Sequence, residues 1–245
     1  MNKIFKSVLI GAGAATLALL GGGAATAAPV SGGGATTNIV GGTQAPATPW
    51  AVQLIFQQGG TDSYGCTGEA ISASWILTAK HCVDGTTAMN VYFSNSTSNR
   101  GTAIKADQLK ASPYGDVALV HLSTAHALSS YPALAASYAP TVGATGTIMG
   151  YGLRANQTPS TGLYQANIKV LGTSSDAYGG PAVHIQGVSG AANHGDSGGP
   201  LIIGGKIVGV CSTGDSADPG SNTQAGSNYA NLTTSRSWIT STSGV

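Results

Sequence analysis

Charged residues are scarce in this sequence. Only 8% of its 245 residues are Asp, Glu, Lys or Arg, with 10 basic and 9 acidic side chains. A coiled coil or helical bundle needs many more charges, and a disordered chain combines low hydrophobicity with high net charge. The near balance of charge also leaves no basic surplus for nucleic acid or for an anionic membrane surface. The sequence therefore excludes these classes.

What the sequence has instead is 42% hydrophobic residues and 37 glycines. From Ile39 onward, short runs of β-prone residues alternate with clusters of Gly, Asn, Ser and Pro. Many short strands separated by turns favour a sandwich or barrel over a sheet with crossover helices. The best helical signal lies near the C-terminus, at residues 234–241. We therefore predict an all-β chain with a short C-terminal helix, forming one large or two small β domains.

The N-terminal segment has the features of an export signal. Lys3 and Lys6 precede an uncharged apolar run at about residues 8–20, which ends in small residues with an Ala-x-Ala pattern. A membrane anchor fits less well, because this run is shorter than the ~20 residues that a spanning helix needs. We predict a signal peptide over residues 1–27 and a secreted, extracellular protein. Without this leader the chain has eight basic and nine acidic residues.

Export permits a disulfide bond, and the chain has three cysteines. Cys66 and Cys82 are close in sequence and are the pair we expect. Cys211 lies in an apolar run, which favours a buried, inert thiol, and whether it pairs between chains stays open. The spacing does not match a zinc site, and we expect no metal and no cofactor.

Three short motifs each offer one side chain for acyl transfer: His81, Asp116 and Ser197. A serine hydroxyl is a poor nucleophile until a base removes its proton, and an imidazole titrates near neutrality. A buried carboxylate then orients the imidazole and stabilises its protonated form. Glycines around Ser197 permit a sharp turn on which the N–H groups of Gly195 and Ser197 can stabilise an oxyanion, each worth about 2.7–4 kcal/mol.

The order of these residues along the chain separates the possible folds. Gly-Asp-Ser-Gly-Gly also matches the serine turn of α/β-hydrolases, but their histidine follows the serine, and no histidine follows Ser197. The subtilisin order needs an acid shortly before His81, where only Glu69 and Asp62 are close. The order His81, Asp116, Ser197 matches the chymotrypsin arrangement.

From Ile39 to Val245 the chain resembles the secreted serine proteases of the chymotrypsin/trypsin family, and its Ala/Gly-rich leader is similar to those of actinobacterial members. The motifs that carry this resemblance are Ile-Val-Gly-Gly at 39–42, Thr-Ala-Lys-His-Cys at 78–82, Asp-Val-Ala-Leu at 116–119 and Gly-Asp-Ser-Gly-Gly-Pro at 195–200. The resemblance implies two packed six-stranded antiparallel β-barrels, over residues 39–135 and 136–245, with the C-terminal helix in the second part. It also implies that the Cys66–Cys82 disulfide braces the histidine loop.

The resemblance further implies activation by proteolysis. In the family, the bond before the isoleucine is cut, and its new α-ammonium pairs with the aspartate before the nucleophile, here Ile39 with Asp196. A buried carboxylate needs such a cation, because an uncompensated charge is costly. Residues 28–38 are therefore predicted to be a propeptide, with a flexible N-terminal tail as the alternative. Asn38 precedes Ile39 where a trypsin-like activator needs Arg or Lys, so the activating protease stays open.

Substrate preference is predicted from the pocket. Ala191 occupies the position that is Asp in trypsin-like enzymes, so a buried Arg or Lys side chain would lack a partner. An uncharged, open slot for large apolar or aromatic side chains is expected, with acidic side chains as a minor alternative. Two further departures are Asn193, where the family has a pocket cysteine, and Lys80, where it has a small residue. The predicted pocket residues are Ala191, Ala192, His194, Ser212 and Gly214.

Together these motifs predict a secreted serine endopeptidase that is not trypsin-like in specificity. Ser197 attacks the peptide carbonyl, His81 transfers the proton, and Asp116 orients His81. Two alternatives remain: a secreted esterase with the same three residues, and an inactive homologue that binds without cleaving. The expected partners are polypeptide substrates and protein protease inhibitors, with no nucleic acid and no membrane, and the chain is expected to be a monomer.

Overall fold

The computed structural model describes residues 39–60 and 63–245. The predicted signal peptide (1–27) and propeptide (28–38) lie outside these residues. Within the described residues, no helix has the length and apolar character needed to cross a membrane.

The first half of the chain forms a closed antiparallel barrel of six strands. After the short strand β1 (Thr43–Gln44), its strands are β2 (Ala51–Gln58), β3 (Ser63–Ala70), β4 (Trp75–Thr78), β5 (Thr86–Tyr92), β6 (Ile104–Ala111) and β7 (Ala118–Leu122). Strands β2 to β7 form the barrel, in the order β2-β3-β4-β7-β6-β5.

The second half forms another six-stranded antiparallel barrel. Its strands follow the order β9-β10-β13-β12-β11-β8, and pairing between β8 and β9 closes it. The elements are β8 (Thr145–Gly150), β9 (Tyr164–Ser175), β10 (Pro181–Gly187), β11 (Pro200–Ile203), β12 (Lys206–Gly214), β13 (Gly226–Asn231) and the C-terminal helix α1 (Arg236–Ser243). The prediction of two six-stranded antiparallel barrels with a short C-terminal helix is confirmed.

Alternation of side chains along the strands explains why they form barrels. In β9, Tyr164, Ala166, Ile168 and Val170 are buried, whereas the residues between them are more exposed. Successive side chains of a strand point to opposite faces, so one face fills the barrel interior. Each large aliphatic side chain buried in this way contributes about 1.5–3 kcal/mol.

Besides the two barrel interiors, a further apolar cluster joins the barrels. Val117 and Leu119 of the first barrel pack in one cluster with Ile207 and Val210 of the second and with Ile239 of α1. Val117 follows Asp116 directly, so this packing fixes the place where Asp116 enters β7 relative to the second barrel.

The first described residues belong to the second barrel. Strand β1 (Thr43–Gln44) pairs with β9, with Thr43 opposite Gln165. Ile39 is buried in the core of the second barrel. The N-terminal segment thus crosses the division predicted at residues 135 and 136.

Candidate active site

His81 lies in a short 3-10 turn, Lys80–Cys82, which follows β4. Cys82 forms a disulfide bond with Cys66 of β3, so the predicted pairing is confirmed. The side-chain amide of Gln58 also donates a hydrogen bond to the carbonyl oxygen of His81, at 3.2 Å. The turn is therefore fastened to two neighbouring strands.

Asp116 is fully buried at the entry to β7 and bonds to His81 twice. Its Oδ1 accepts the His81 backbone N–H at 2.9 Å, and its Oδ2 lies 2.8 Å from His81 Nδ1. The Ser212 hydroxyl donates to the same Oδ2, at 2.6 Å. Burial by itself raises the pKa of Asp116, but the His81 side chain, the Ser212 hydroxyl and the His81 N–H outweigh it and hold the pKa below its ordinary value.

This geometry determines which nitrogen of His81 can act as a base. Asp116 Oδ2 accepts from Nδ1–H, so the neutral imidazole keeps its lone pair on Nε2. The His81 side chain is 31% exposed, whereas that of Asp116 is inaccessible. A buried carboxylate behind a solvent-accessible imidazole can stabilise the imidazolium that forms when Nε2 takes a proton.

Ser197 lies on a glycine-rich turn between β10 and β11. Gly195 has φ +93° and Gly198 has φ +78°, values that other residues adopt only at a cost. A Cβ atom on Gly198 would lie 2.9 Å from the backbone nitrogen of Ala79, two residues before His81. The turn thus lies directly against the segment that carries His81. Within the described residues, Ser197 Oγ makes no hydrogen bond to His81, and such bonds are often long in free enzymes.

Thr67 of β3 donates two hydrogen bonds to carbonyl groups of this turn. Its N–H donates to the carbonyl of Ser197 and its hydroxyl to the carbonyl of Gly195, both at 2.9 Å. The N–H groups of Gly195 and Ser197 have no hydrogen-bond acceptor in the part of the chain that the structure describes. Two unbonded N–H groups on one tight turn can stabilise an oxyanion.

Asp196 is buried beneath this turn. Its Oδ1 accepts the N–H of Gly152 and its Oδ2 that of Asn193, both at 2.8 Å. The salt bridges of the described residues do not include Asp196. Burial therefore raises the pKa of Asp196 to about 7, although the two N–H bonds act in the opposite direction.

The segment that begins at Ile39 lies beside the residues leading to Ser197. The Val40 carbonyl accepts the N–H of Ala191 at 2.8 Å. Ile39 is 1% exposed and has φ +42°, a left-handed conformation that strains a β-branched residue. The structure describes no bond between Ile39 and Asp196, the predicted activation pair.

A cavity of about 320 Å³ opens next to Ser197. Four of the five predicted pocket residues line it, and Ala191 does not, because it is 1% exposed and pairs with Val40. The lining residues are Ala192, Asn193, His194, Ser197, Cys211, Ser212, Thr213, Gly214, Asp215, Ser216, Ala217 and Pro219.

Hydrogen bonds hold the rim of this cavity where the family has a pocket cysteine. His194 Nε2 lies 2.7 Å from the carbonyl oxygen of Ala217, and both residues line the cavity. The Asn193 side chain donates to the carbonyl of Arg154 at 3.2 Å, and Gln157 donates to Asp218 at 2.9 Å. The sequence predicted His194 to be a pocket residue, and the structure places it in the lining of this cavity.

One acidic side chain in the cavity wall, Asp215, did not emerge from the sequence. Its Oδ2 lies 2.9 Å from His184 Nε2, and its Oδ1 accepts from the Asn228 side chain at 3.2 Å. Each oxygen of this carboxylate therefore has a hydrogen-bond partner. The sequence holds no local signal for Asp215, because its place depends on the pairing of β12 with β13 and on the approach of β10.

Thr67 also escaped the sequence analysis. It lies one residue after Cys66, but its contact with the turn depends on how the barrels meet. Cys211 was expected to be buried, and it is 5% exposed. Burial raises the pKa of its thiol, so it is unreactive. Cys66, His81 and Cys82 bring ligand atoms within 4.8 Å of one another, but the disulfide commits both sulfurs and leaves none for a metal ion.

Comparison with known proteins agrees with this architecture. A family model described as trypsin matches residues 39–239. Trypsin alpha of Drosophila erecta is 32% identical over 232 residues, covering 83% of this chain and 87% of that protein. Chymotrypsin-like elastase family member 1 of Felis catus is 29% identical and covers 69% of this chain and 76% of its own length.

Among solved structures, the chain is similar to neuropsin, a serine protease expressed in the limbic system of mouse brain. The TM-score is 0.67 and the identity 24%, and the match covers 82% of this chain and 98% of that one. This similarity shows the fold. The match to the trypsin family model and the identity to trypsin alpha show the family. The chain belongs to the trypsin family of serine endopeptidases.

Proposed function

We propose that His81, Asp116 and Ser197 are the catalytic residues of this endopeptidase. The observation that carries the proposal is the hydrogen bond between His81 and the buried Asp116, next to a turn that presents Ser197 and two N–H groups without an acceptor in the described residues. These are the parts that serine acyl transfer requires: a nucleophile, an oriented base and an oxyanion site.

In the proposed reaction, Ser197 Oγ attacks the carbonyl carbon of the scissile bond while its proton passes to His81 Nε2. The N–H groups of Gly195 and Ser197 stabilise the oxyanion. Collapse of the tetrahedral intermediate breaks the C–N bond, and the imidazolium gives its proton to the leaving amine. Water then attacks the acyl-enzyme with His81 again as the base, which releases the acid and restores Ser197.

The test is an organophosphorus serine-hydrolase label followed by intact mass and peptide mapping. We expect one label, on Ser197, in a chain that begins at Ile39, and none after Ser197→Ala. A chain that begins at Ile39, is folded and takes no label would overturn the proposal in favour of a binding homologue. Comparison of matched amide and ester substrates separates the endopeptidase from an esterase, because an esterase would leave the amide uncut.

Cleavage of the Asn38–Ile39 bond completes the site in this proposal. The buried carboxylate of Asp196 has no ion-pair partner among the described residues, and the new α-ammonium of Ile39 would supply one. The strain at Ile39 supports the same step, because its φ torsion is defined through the carbonyl carbon of Asn38 and ceases to exist once that bond is cut. Strain of this kind costs about 1–3 kcal/mol.

The cavity supports a preference for large apolar or aromatic side chains before the scissile bond. Ala192 and Gly214 line it without charge, and the carboxylate of Asp215 is already paired with His184 and Asn228. We expect kcat/KM for a peptide nitroanilide with Phe at this position to exceed the values for Arg and for Glu. A higher value for Arg that falls in Asp215→Asn would overturn this preference and make Asp215 the specificity residue.

The remaining parts of the proposal concern the setting of the enzyme. The leader, which is similar to those of secreted actinobacterial members, supports export, and the family supports polypeptide substrates. We expect the mature enzyme to be a monomer that protein protease inhibitors can block. Size-exclusion chromatography with light scattering, before and after addition of a protein inhibitor of trypsin-family enzymes, tests both expectations.

A further inference from the structure

The loop between β9 and β10, residues 176–180, carries an aspartate that the proposed reaction does not use. Asp176 is only 7% exposed. Its Oδ2 accepts the backbone N–H of Asp116 at 2.8 Å, and its Oδ1 accepts the N–H groups of Tyr178 at 2.9 Å and Gly180 at 2.8 Å. Three donors converge on one buried carboxylate, which is how a protein satisfies a charge away from water.

Two glycines leave the space that this carboxylate fills. A Cβ atom on Gly180 would lie 2.6 Å from Asp176 Oδ2, and one on Gly115 would collide with the same oxygen. Gly115 also has φ +85°, which disfavours any side chain there. Because Gly115 directly precedes Asp116, the loop of the second barrel fits closely against the entry to β7.

The same loop reaches the carboxylate of Asp116 by a second route. The N–H of Ala177 donates to the Ser212 hydroxyl at 3.0 Å, and that hydroxyl donates to Asp116 Oδ2 at 2.6 Å. The loop therefore holds Asp116 at its backbone through Asp176 and at its side chain through Ser212.

A third contact joins the loop to the turn that carries His81. Lys80 Nζ lies 4.3 Å from the centre of the Tyr178 ring, a cation–π arrangement. The Tyr178 hydroxyl donates to Asp84 Oδ2 at 2.7 Å. Lys80 directly precedes His81, and Asp84 follows it by three residues, so one side chain spans the turn.

We propose that residues 176–180 position the His81–Asp116 pair, with Asp176 as the positioning residue for Asp116 and Tyr178 for the turn of His81. The inference rests on the proposed function, because only a working triad needs this alignment. The two halves of the proposed site lie on different barrels, and an error of about 1 Å in such an alignment can cost roughly 100-fold in rate. The charged and titratable groups that face one another here are Lys80, His81, Asp84, Asp116, Asp176 and Tyr178.

The first test is Asp176→Asn in the mature enzyme, with Asp107→Asn as its matched control. Asparagine has nearly the same shape, but its NH₂ group cannot accept a bond, so either the Asp116 N–H or the Tyr178 and Gly180 N–H groups lose their acceptor. We expect kcat to fall about 10- to 100-fold with KM within about twofold. The acid limb of the kcat/KM profile should move to lower pH, because a negative charge that favours the imidazolium is gone.

The control removes a comparable carboxylate from the outside of the first barrel. Asp107 lies on β6 with its Oδ1 2.6 Å from His121 Nδ1, and its side chain is 46% exposed. We expect Asp107→Asn to leave kcat, KM and the pH profile of the parent enzyme unchanged.

The second test is Tyr178→Ala compared with Tyr64→Ala, which decides the question even where Asp176→Asn fails to fold. The two tyrosines are 41% and 46% exposed, but Tyr64 stacks only on Phe56 of its own barrel. Loss of the Lys80 and Asp84 contacts should lower kcat about three- to tenfold in Tyr178→Ala. Tyr64→Ala should keep the parent kcat.

The outcomes separate this inference from the function on which it rests. Folded Asp176→Asn and Tyr178→Ala enzymes with the parent kcat and pH profile would overturn the positioning role. A rise in KM alone would make the loop a substrate contact and would overturn it too. A parent enzyme that begins at Ile39 but neither hydrolyses peptides nor takes the label removes the proposed function first, before any variant is compared.

Discussion

The two barrels hold their parts of the site by different means. In the first, a disulfide bond and two hydrogen bonds that His81 donates to Asp116 fix His81. In the second, hydrogen bonds shape the turn of Ser197 and the cavity rim, above a buried Asp196 that has no ion-pair partner in the part of the chain that the structure describes. In the proposed activation, the first half of the site is therefore formed before the cut, and the second half gains the α-ammonium of Ile39 only after it.

The difference also gives the two halves opposite dependence on pH. The pKa of Asp116 is lowered, so its contribution to stability is present above its unfolded pKa and is lost as pH falls through the folded value. The pKa of Asp196 is raised to about 7, so its contribution is present below its unfolded pKa and is lost as pH rises toward 7. Acid thus acts against the first half and neutral pH against the second.

The largest expected effect on kcat comes from removing one proposed catalytic side chain from each barrel. His81→Ala and Ser197→Ala should each lower kcat by about a million-fold, because neither residue acts without the other. The double variant should be no slower than either single variant. Steady-state kinetics of the three enzymes check this, and a double variant that loses the product of the two factors would contradict a shared mechanism.

The next effect changes sign on maturation. In the uncut chain at pH 8, Asp196→Asn should remove a penalty on the order of 4 kcal/mol, because the parent carboxylate ionises in a buried position. The new NH₂ group leaves the N–H of Gly152 or of Asn193 without an acceptor, which costs about 1–3 kcal/mol at either pH, so a net stabilisation is expected at pH 8. In the chain cut before Ile39 the same substitution should destabilise by about 3–5 kcal/mol and abolish activity, because the ammonium loses its partner. Urea unfolding of both forms at pH 5 and pH 8 measures the two free energies.

Glu69 is a second buried carboxyl group that contributes to the pH dependence of unfolding in that experiment. It is buried in β3, and its carboxyl oxygens have no hydrogen-bond partner in the described residues. Burial raises its pKa well above the ordinary value, in the same direction as that of Asp196. Each comparison therefore keeps Glu69 and changes only Asp196, and equal pH dependence in parent and variant would refute the role given to Asp196.

The disulfide bond should contribute somewhat less to the free energy of unfolding than the Asp196 substitution changes it. Cys66 and Cys82 are 16 residues apart, and a loop of this size stabilises by about 3 kcal/mol. The double variant Cys66→Ala/Cys82→Ala should lose about that much free energy of unfolding. Cys211→Ala is the control for a buried cysteine without a disulfide, and it should lose only about 1 kcal/mol. Equal losses would mean that the cross-link itself adds nothing.

The smallest expected effect comes from a substitution at the contact between the two barrels. Thr67→Val keeps the side-chain shape but removes the hydroxyl that donates to the Gly195 carbonyl and accepts the Tyr151 N–H, so the N–H groups of the proposed oxyanion site become less well aligned. We expect kcat to fall about tenfold, equivalent to about 1.4 kcal/mol. Thr87→Val, on the exposed edge of the first barrel, should leave kcat unchanged. A KM effect without a change in kcat would argue against an oxyanion role.

The sequence predicted those features that local motifs carry. Alternating short strands and turns indicated the all-β fold, and the cysteine spacing indicated the disulfide. The residues His81, Asp116 and Ser197 were recognisable because the identity of their neighbours and their order are specific. Their catalytic roles remain predictions until Ser197 is labelled.

Other features depend on contacts that no short motif records. Asp176 and Thr67 act through backbone groups far along the chain, and backbone groups look alike in every sequence. Asp215 reached the cavity wall through the pairing of strands, whereas Ala191, placed there by counting from Ser197, is covered by Val40. Positions counted along a loop locate the chain but not the direction in which a side chain is exposed.

The pairing of β1 with β9 also determines the order in which parts of the chain can fold. Thr43 can find Gln165 only after the whole first barrel and the start of the second have been made, and such distant pairings form late. The hydrophobic slot for Ile39 is built from the same late strands. In the proposed activation, a new N-terminus at Ile39 can therefore dock only once the strands of the second barrel have formed, and we expect no proteolytic activity from a chain that lacks them.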